Sequence, residues 1–188
     1  MNIFRYLLIA LTIIFCHSAD CMSETTHIIH RYGKAEGLSN LSVHSIAQDT
    51  NGFIWIGTSH VLDRYDGSHI RHYSVPRMGG AENKDDHRIT ALCASRNGKI
   101  WVGTSCTLFW FDPQKETFHH IEDKTLQDIA AITKIMEDKE GNIWIISATA
   151  LMCLDTQTEK VNSYPDFTSS DIIETQNGII WSTSFDGS

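Results

Sequence analysis

The chain has 188 residues, with 15 lysines and arginines against 23 aspartates and glutamates, for a formal net charge of -8. Apolar residues make up 41% and aromatics 10%, with 12 glycines and only 3 prolines, which excludes a disordered, collagen-like or coiled-coil chain. The acidic balance argues against nucleic acid as a partner, because phosphates need a basic surface, and the length suffices to bury a core.

Arg5 precedes an apolar run over 6–15 that is broken only by Thr12. Ten helical residues reach about 15 Å, half a bilayer core. Residues 1–22 therefore read as a signal peptide. Ser18, Cys21 and Ser23 each fit the small-residue rule for cleavage, and Asp20 argues against lipidation of Cys21. No second apolar stretch follows, so the processed chain is expected to be exported and soluble. Of five cysteines, Cys93, Cys106 and Cys153 lie well beyond this segment, an odd number at spacings that match no zinc pattern and indicate no disulfide.

The rest of the chain repeats itself. Gly52-Phe53-Ile54-Trp55-Ile56-Gly57-Thr58, Gly98-Lys99-Ile100-Trp101-Val102-Gly103-Thr104, Gly141-Asn142-Ile143-Trp144-Ile145-Ile146-Ser147 and Gly178-Ile179-Ile180-Trp181-Ser182-Thr183-Ser184 align, with tryptophans 46, 43 and 37 residues apart. An aspartate follows the tryptophan by 11 residues at Asp66, Asp112 and Asp155. In each unit a short alternating run precedes an Asn-Gly or Glu-Gly pair, a strong hairpin signal because these residues tolerate positive φ. The pattern predicts strand a (43–47, 89–94, 132–136, 172–174) and an almost wholly apolar strand b, buried on both faces. Strand c (61–65, 108–111, 151–154) runs into the aspartate turn, and a more polar, outermost strand d follows (69–73, 117–121, 160–164).

Four antiparallel strands per unit of about 42 residues are the blades of a β-propeller. A sandwich of similar hairpins is the alternative, and the threefold identical Trp-to-Asp spacing counts against it. The fold expected is all-β, a partial, open propeller over 27–188. Its blades fall at about 41–73, 89–121, 131–164 and 170–188, the last incomplete, and 27–32 reads as the outer strand of a closing blade that is missing. An open arc leaves two edges bare, so the chain is expected to be a fragment of a longer protein.

Gly37-Leu38-Ser39, the strand 43–46, Asp49-Thr50-Asn51-Gly52-Phe53-Ile54-Trp55-Ile56-Gly57-Thr58 and Leu62-Asp63-Arg64-Tyr65-Asp66 together resemble the two-component regulator propeller repeat. The second unit matches in Trp101–Thr104 and Phe111-Asp112, the third loses the Gly-Thr pair, and the fourth keeps Asn177, Gly178 and Trp181. The resemblance implies the periplasmic sensor of a hybrid histidine kinase that detects glycan fragments and controls polysaccharide-utilisation genes. It implies a small-molecule or oligosaccharide ligand, no cofactor, no catalytic residue and no kinase in this chain. A homodimer belongs to the full-length parent, and membrane attachment to parts that are absent here.

Antiparallel order puts the b–c and d–a connections at one end of the blades and the a–b and c–d turns at the other. The longest connection, 74–88, holds Lys84, Asp86, His87 and Arg88, at the same end as Ser59, His60, Ser105 and Cys106. Binding residues favour loops on a rigid scaffold. His60, Lys84, Asp86, His87 and Arg88 are the candidate ligand residues, the cations suiting sulfated or uronic glycans. Solvated loops are the plainer reading of the same residues. His27/His30 and His69/His72 stand at i, i+3, and His119-His120 are adjacent, so neither pattern sets ligands side by side on one strand face and no metal is expected. Asp66, Asp112 and Asp155 are expected as turn formers, and the tryptophans as packing between blades. A protein-binding scaffold is the first rival reading. A sialidase- or lyase-like propeller enzyme is the second, because Asp49-x-x-Gly52-x-x-Trp55 faintly resembles the sialidase Asp-box turn. No nucleophile motif supports the enzyme.

Overall fold

The computed structural model describes residues 28–77, 88–127 and 129–184. The signal peptide, residue 27 and most of the 74–88 connection lie outside them. The chain divides into two compact units, Met1–Arg31 and Tyr32–Ser188. Residues 28–32 form no strand, and Ile28 and Ile29 stand exposed. The outer strand expected at 27–32 is thus not formed there. A strand needs a paired neighbour for its N–H and C=O groups.

The second unit contains three four-stranded antiparallel sheets and one two-stranded sheet, each a meander. The first is β1 (Val43–Gln48), β2 (Ile54–Thr58), β3 (Val61–Tyr65) and β4 (Ile70–Ser74). The second is β5 (Ile89–Ala94), β6 (Ile100–Thr104), β7 (Leu108–Asp112) and β8 (Thr117–His120). A single helical turn, α1 (Lys124–Gln127), leads to β9 (Ile132–Glu137), β10 (Ile143–Ser147), β11 (Leu151–Asp155) and β12 (Lys160–Tyr164). The last sheet is β13 (Ser169–Glu174) with β14 (Ile180–Ser184). Among the described residues no helix is long and apolar enough to cross a membrane.

The tryptophans occupy equivalent places. Each lies on the second strand, opposite the fifth residue of the first: Ala47↔Trp55, Cys93↔Trp101, Met136↔Trp144 and Ile173↔Trp181. Each first strand carries a bulge after its opening residue. In three sheets the bulge residue donates its hydroxyl to the carbonyl two residues past the tryptophan: Thr90 to Gly103, Thr133 to Ile146 and Ser170 to Thr183. This bond fixes the register independently of the tryptophan.

Blades pack through both faces, which explains the apolar second strands. All five residues of β6 are buried. Trp55 packs edge-on to Phe111 of the next blade at 5.6 Å, and Tyr73 meets the same ring at 4.7 Å. Trp101 joins Ile135, Ile143, Ile145 and Met152 of the third blade in one buried cluster. Burial of each indole depends on the blade that follows. Trp55 is 0% exposed, Trp101 1%, and Trp181, at the end of the series, 62%.

Gly57 and Gly103 let blades approach closely. A Cβ on Gly57 would stand 2.5 Å from Ile89 Cγ2, and one on Gly103 2.6 Å from Ile132 Cγ2. Polar clamps add to two interfaces. Glu137, closing β9, accepts hydrogen bonds from Ser95 Oγ at 2.8 Å and Arg96 N at 2.9 Å. Glu174, closing β13, accepts from Lys139 N at 2.9 Å. The corresponding residue of β5 is Ala94, and there Glu116 instead ties Arg71 and Tyr73 across the outer strands, each at 3.0 Å.

Candidate functional site

The two ends of the blades are built differently. At the a–b end each turn places a glycine at φ between 81 and 88° (Gly52, Gly98, Gly141, Gly178), a conformation that side chains disfavour. Asp49 opens the first turn. Its Oδ1 accepts from Asn51 N at 2.9 Å and Phe53 N at 3.1 Å, and its Oδ2 from Trp55 Nε1 at 2.8 Å. Asp138 repeats this with Asn142 N and Trp144 Nε1, at 2.8 and 2.9 Å. The second unit has Ser95 there, whose hydroxyl turns to Glu137, and the buried Trp101 Nε1 has no partner. In the first and third units the carboxylate of this Asp-box-like turn holds both the turn and the indole.

The c–d turns behave as expected. Asp66 Oδ1 accepts from Ser68 N at 2.9 Å and His69 N at 2.7 Å. Asp112 does so from Gln114 N and Lys115 N, and Asp155 from Gln157 N and Thr158 N. The backbone N–H of His69, then that of Ser68, hold the Asp66 carboxyl down to about 2. Asp112 is lowered by the Lys115 N–H first, and Asp155 by Thr158. A carboxyl whose folded value is depressed stabilises the fold fully above its ordinary value near 3.8 and loses that contribution as pH falls through the folded value. Asp66→Asn is accordingly expected to flatten the decline in urea midpoint between pH 4 and 2. An unchanged slope would overturn this reading.

A cleft of about 370 Å³ opens at this a–b end, between the first and second blades. Asp49 and Asn51 line one side, and Asn97, Lys99, Trp110, Asp112 and Gln114 the other. Trp110, the tryptophan outside the repeat register, is stacked on His119 at 3.9 Å with 10° between planes. Lys99 Nζ lies 4.1 Å from the indole centroid, necessarily over the opposite face. Both faces of the ring are thus covered, so a sugar would stack there only by displacing Lys99. Both carboxylates are engaged, Asp49 as above and Asp112 with its turn and, at 3.5 Å, with Lys115.

At the b–c end, hydroxyls staple the turns: Thr58 Oγ1 donates to Val61 O, Thr104 Oγ1 to Thr107 O and Ser147 Oγ to Ala150 O. His60 sits exposed in the first of these turns, its carbonyl accepting from Val75 N at 3.3 Å. Arg88 is exposed just before β5, its carbonyl accepting from Ser105 N at 3.1 Å. These two candidates share one end of the blades, and Lys84, Asp86 and His87 lie outside the described residues. The cleft is at the other end. It forms from turns of two neighbouring units, an apposition that spacing within one unit does not reveal.

Two histidines, His72 and His120, are structural. His72 Nδ1 donates to the fully buried Asp63 at 2.8 Å, and His120 Nε2 pairs with Thr107 Oγ1 at 3.0 Å. Among the described residues no group of three or more His, Cys, Asp or Glu could hold a metal ion. Burial pushes the thiols of Cys93 and Cys153 up to about 11, which makes them poor nucleophiles.

The two-component regulator propeller model matches residues 37–60 and 83–106. No curated protein matches the chain. Among solved structures, the extracellular domain of a protein described as a hybrid two-component system from B. thetaiotaomicron is similar at TM-score 0.68 and 21% identity, over 84% of this chain and 24% of that one. The extracellular domain of a one-component system from the same organism is similar at 0.67 and 18%, over 81% and 21%. Virginiamycin B lyase from Staphylococcus aureus is similar at 0.61 and 14%, over 77% and 50%. At these identities the likeness is one of fold, and the chain spans about a quarter or less of the two extracellular domains. The family match covers the Gly37-Leu38-Ser39 lead and the first hairpin of the first blade, then the first hairpin of the second, where the tryptophan register is strictest. Residues 37–60 and 83–106 thus carry the two-component regulator propeller repeat.

Proposed function

We propose that this chain is the ligand-sensing propeller region of an exported, periplasmic two-component regulator that recognises oligosaccharides and controls genes for polysaccharide utilisation. The observation that carries the reading is the family match at 37–60 and 83–106, extended by the common tryptophan register to every blade. The similar extracellular domains support export, as does the apolar leader in the sequence. The chain itself acts by binding, and the chemistry of signalling belongs to the remainder of a longer regulator. Recognition falls to the b–c and d–a loops, with His60, Lys84, Asp86, His87 and Arg88 as the ligand residues.

Titration of the full chain with uronic, sulfated and neutral oligosaccharides tests this. Binding of an acidic glycan is expected, and the pair His60→Ala with Arg88→Ala should weaken it at least tenfold. A loss confined to Asn51→Ala with Gln114→Ala would move the site to the cleft at the opposite end. Failure of every glycan, with a protein captured instead, would replace the sensor by a scaffold.

A further inference from the structure

The first two turns at the a–b end share an Asn-Gly pair and differ in what holds the asparagine. Both turns close alike: Gly52 N donates to Asp49 O and Gly98 N to Ser95 O, each at 3.0 Å. Both asparagines are exposed. The difference lies at the residue that opens the turn. In the first, Asp49 Oδ1 takes Phe53 N at 3.1 Å as well as Asn51 N at 2.9 Å. The Phe53 N–H is then occupied, and the Asn51 side-chain amide has no hydrogen-bond partner among the described residues. In the second, Ser95 turns its hydroxyl to Glu137, and the equivalent N–H, that of Lys99, donates to Asn97 Oδ1 at 3.1 Å. One backbone donor thus goes to the turn-opening carboxylate where there is one, and tethers the asparagine where there is not. Such competition for local backbone donors is usual for Asn and Asp side chains.

We infer that Asn51 is a site of spontaneous deamidation, converted faster than Asn97 because its side chain is untethered. The step needs no enzyme and no oxidant. Gly52 N gives up its proton and attacks Asn51 Cγ. The bond from Cγ to the amide nitrogen breaks, and ammonia leaves with that proton. Water then opens the five-membered imide at either carbonyl, giving aspartate or isoaspartate. A following glycine, with no Cβ, leaves the attacking nitrogen unhindered in both turns, and the bond from that nitrogen to the turn carbonyl slows both equally. What differs is the side chain. Asn97 Cγ is held through Oδ1 against Lys99 N, whereas Asn51 Cγ is free to turn toward Gly52 N. Asn177 precedes Gly178 as well, and its Oδ1 accepts from Thr175 Oγ1 at 2.5 Å. It closes a two-stranded sheet, so the like-for-like comparison is between Asn51 and Asn97. The product bears on the cleft, because Asn51 lines the side that faces Lys99. Either product puts a carboxylate there. Isoaspartate also adds a backbone atom between the two N–H groups that Asp49 Oδ1 collects, which strains that pair of bonds.

The full chain, aged in mildly alkaline buffer and then digested, tests this by mass spectrometry of the peptides that carry residues 51 and 97. Labelling with an isoaspartyl methyltransferase marks the branched product. Asn51 is expected to convert at least fivefold faster than Asn97. Asp49→Ser frees Phe53 N for Asn51 Oδ1, and conversion of Asn51 is expected to fall to the rate of Asn97. Faster conversion in Asp49→Ser would mean that the turn had only loosened, and would overturn the tether. The converse, Ser95→Asp, offers Lys99 N a carboxylate and should raise the Asn97 rate toward that of Asn51. Equal rates at the two positions in the unaltered chain, or faster conversion of Asn97, would overturn the inference.

Discussion

Gly103→Ile is expected to destabilise the fold by about 3 kcal/mol or more, and Ile132→Ser in the same chain to restore most of that loss. The first half follows from space. A Cβ at Gly103 would meet Ile132 Cγ2 at 2.6 Å, Ile132 Cβ at 3.0 Å and Ile135 Cδ1 at 3.1 Å, all within the buried seam between the second and third blades. Overpacking a close-packed core costs about 1–3 kcal/mol for modest insertions, and a whole branched side chain lies at or beyond that range. The second half follows from the neighbouring interface, where the position of Gly103 is taken by Ile146 and the next first strand opens on Ser169 instead of isoleucine. Ile132→Ser alone should cost about 2–4 kcal/mol as a cavity. The double variant should lie well above the sum of the two losses, with a coupling of about 1–3 kcal/mol, as expected for residues in direct contact. Urea denaturation of the four proteins checks this. Additive losses would mean that the two positions do not share one space.

The same pair shows how far the repeat was legible. The spacing of Trp55, Trp101 and Trp144 from Asp66, Asp112 and Asp155 depends on hydrogen-bonded turns of fixed length, so it survives in the sequence and predicts strand order. The runs 61–65, 89–94 and 160–164 are strands with those bounds. β13 begins three residues before the expected 172. Its opening Ser-Ser-Asp is polar and carries a bulge, so alternation is lost while the ladder persists. The exchange of Gly103–Ile132 for Ile146–Ser169 was visible only as a lost Gly-Thr in the third unit. The small residue at the matching position of the next first strand, Ser169, lies 23 residues on and needs the register to be seen.

The site was less legible because it depends on what neighbouring units bring together. His60 and Arg88 fall at one end, as alternation of strand direction requires, but the cleft is assembled from turns of two blades. Trp110 could be read from the sequence only as the tryptophan outside the pattern. Its stacking on His119 follows from pairing of β7 with β8. Lys99 reaches it from the preceding hairpin. The clamp of Glu137 on Ser95 and Arg96 is likewise a relation between blades, and it accounts for the diverted serine that leaves Trp101 Nε1 without a partner.

Asp63→Ala is expected to cost about 3 kcal/mol and to release the segment ahead of the first blade. Asp63 is 0% exposed on β3, and its carboxylate accepts three hydrogen bonds. Ser39 gives two to Oδ2, from N at 3.0 Å and from Oγ at 2.7 Å, and His72 Nδ1 gives one to Oδ1 at 2.8 Å. Ser39 belongs to the Gly37-Leu38-Ser39 lead, where Gly37 takes φ 96° so that the chain can turn and bury Leu38. The carboxylate thus anchors the lead to the third strand and orients a histidine of the fourth. Hydrogen bonds to a charged group contribute about 1.5–3 kcal/mol, and removing the acceptor leaves the Ser39 N–H unpaired and its hydroxyl only a longer contact with Thr58 Oγ1 at 3.4 Å. His72, half-exposed, regains water and recovers part of its loss. Asp63→Asn keeps an acceptor for Ser39 and should cost about 1 kcal/mol, while Ser39→Ala falls between the two. Limited proteolysis separates a local from a global effect. In Asp63→Ala cleavage should appear between residues 33 and 42 at denaturant concentrations where the blades remain folded, and in Asp63→Asn it should not. Equal resistance of all three variants would show that the lead is held by Leu38 packing alone.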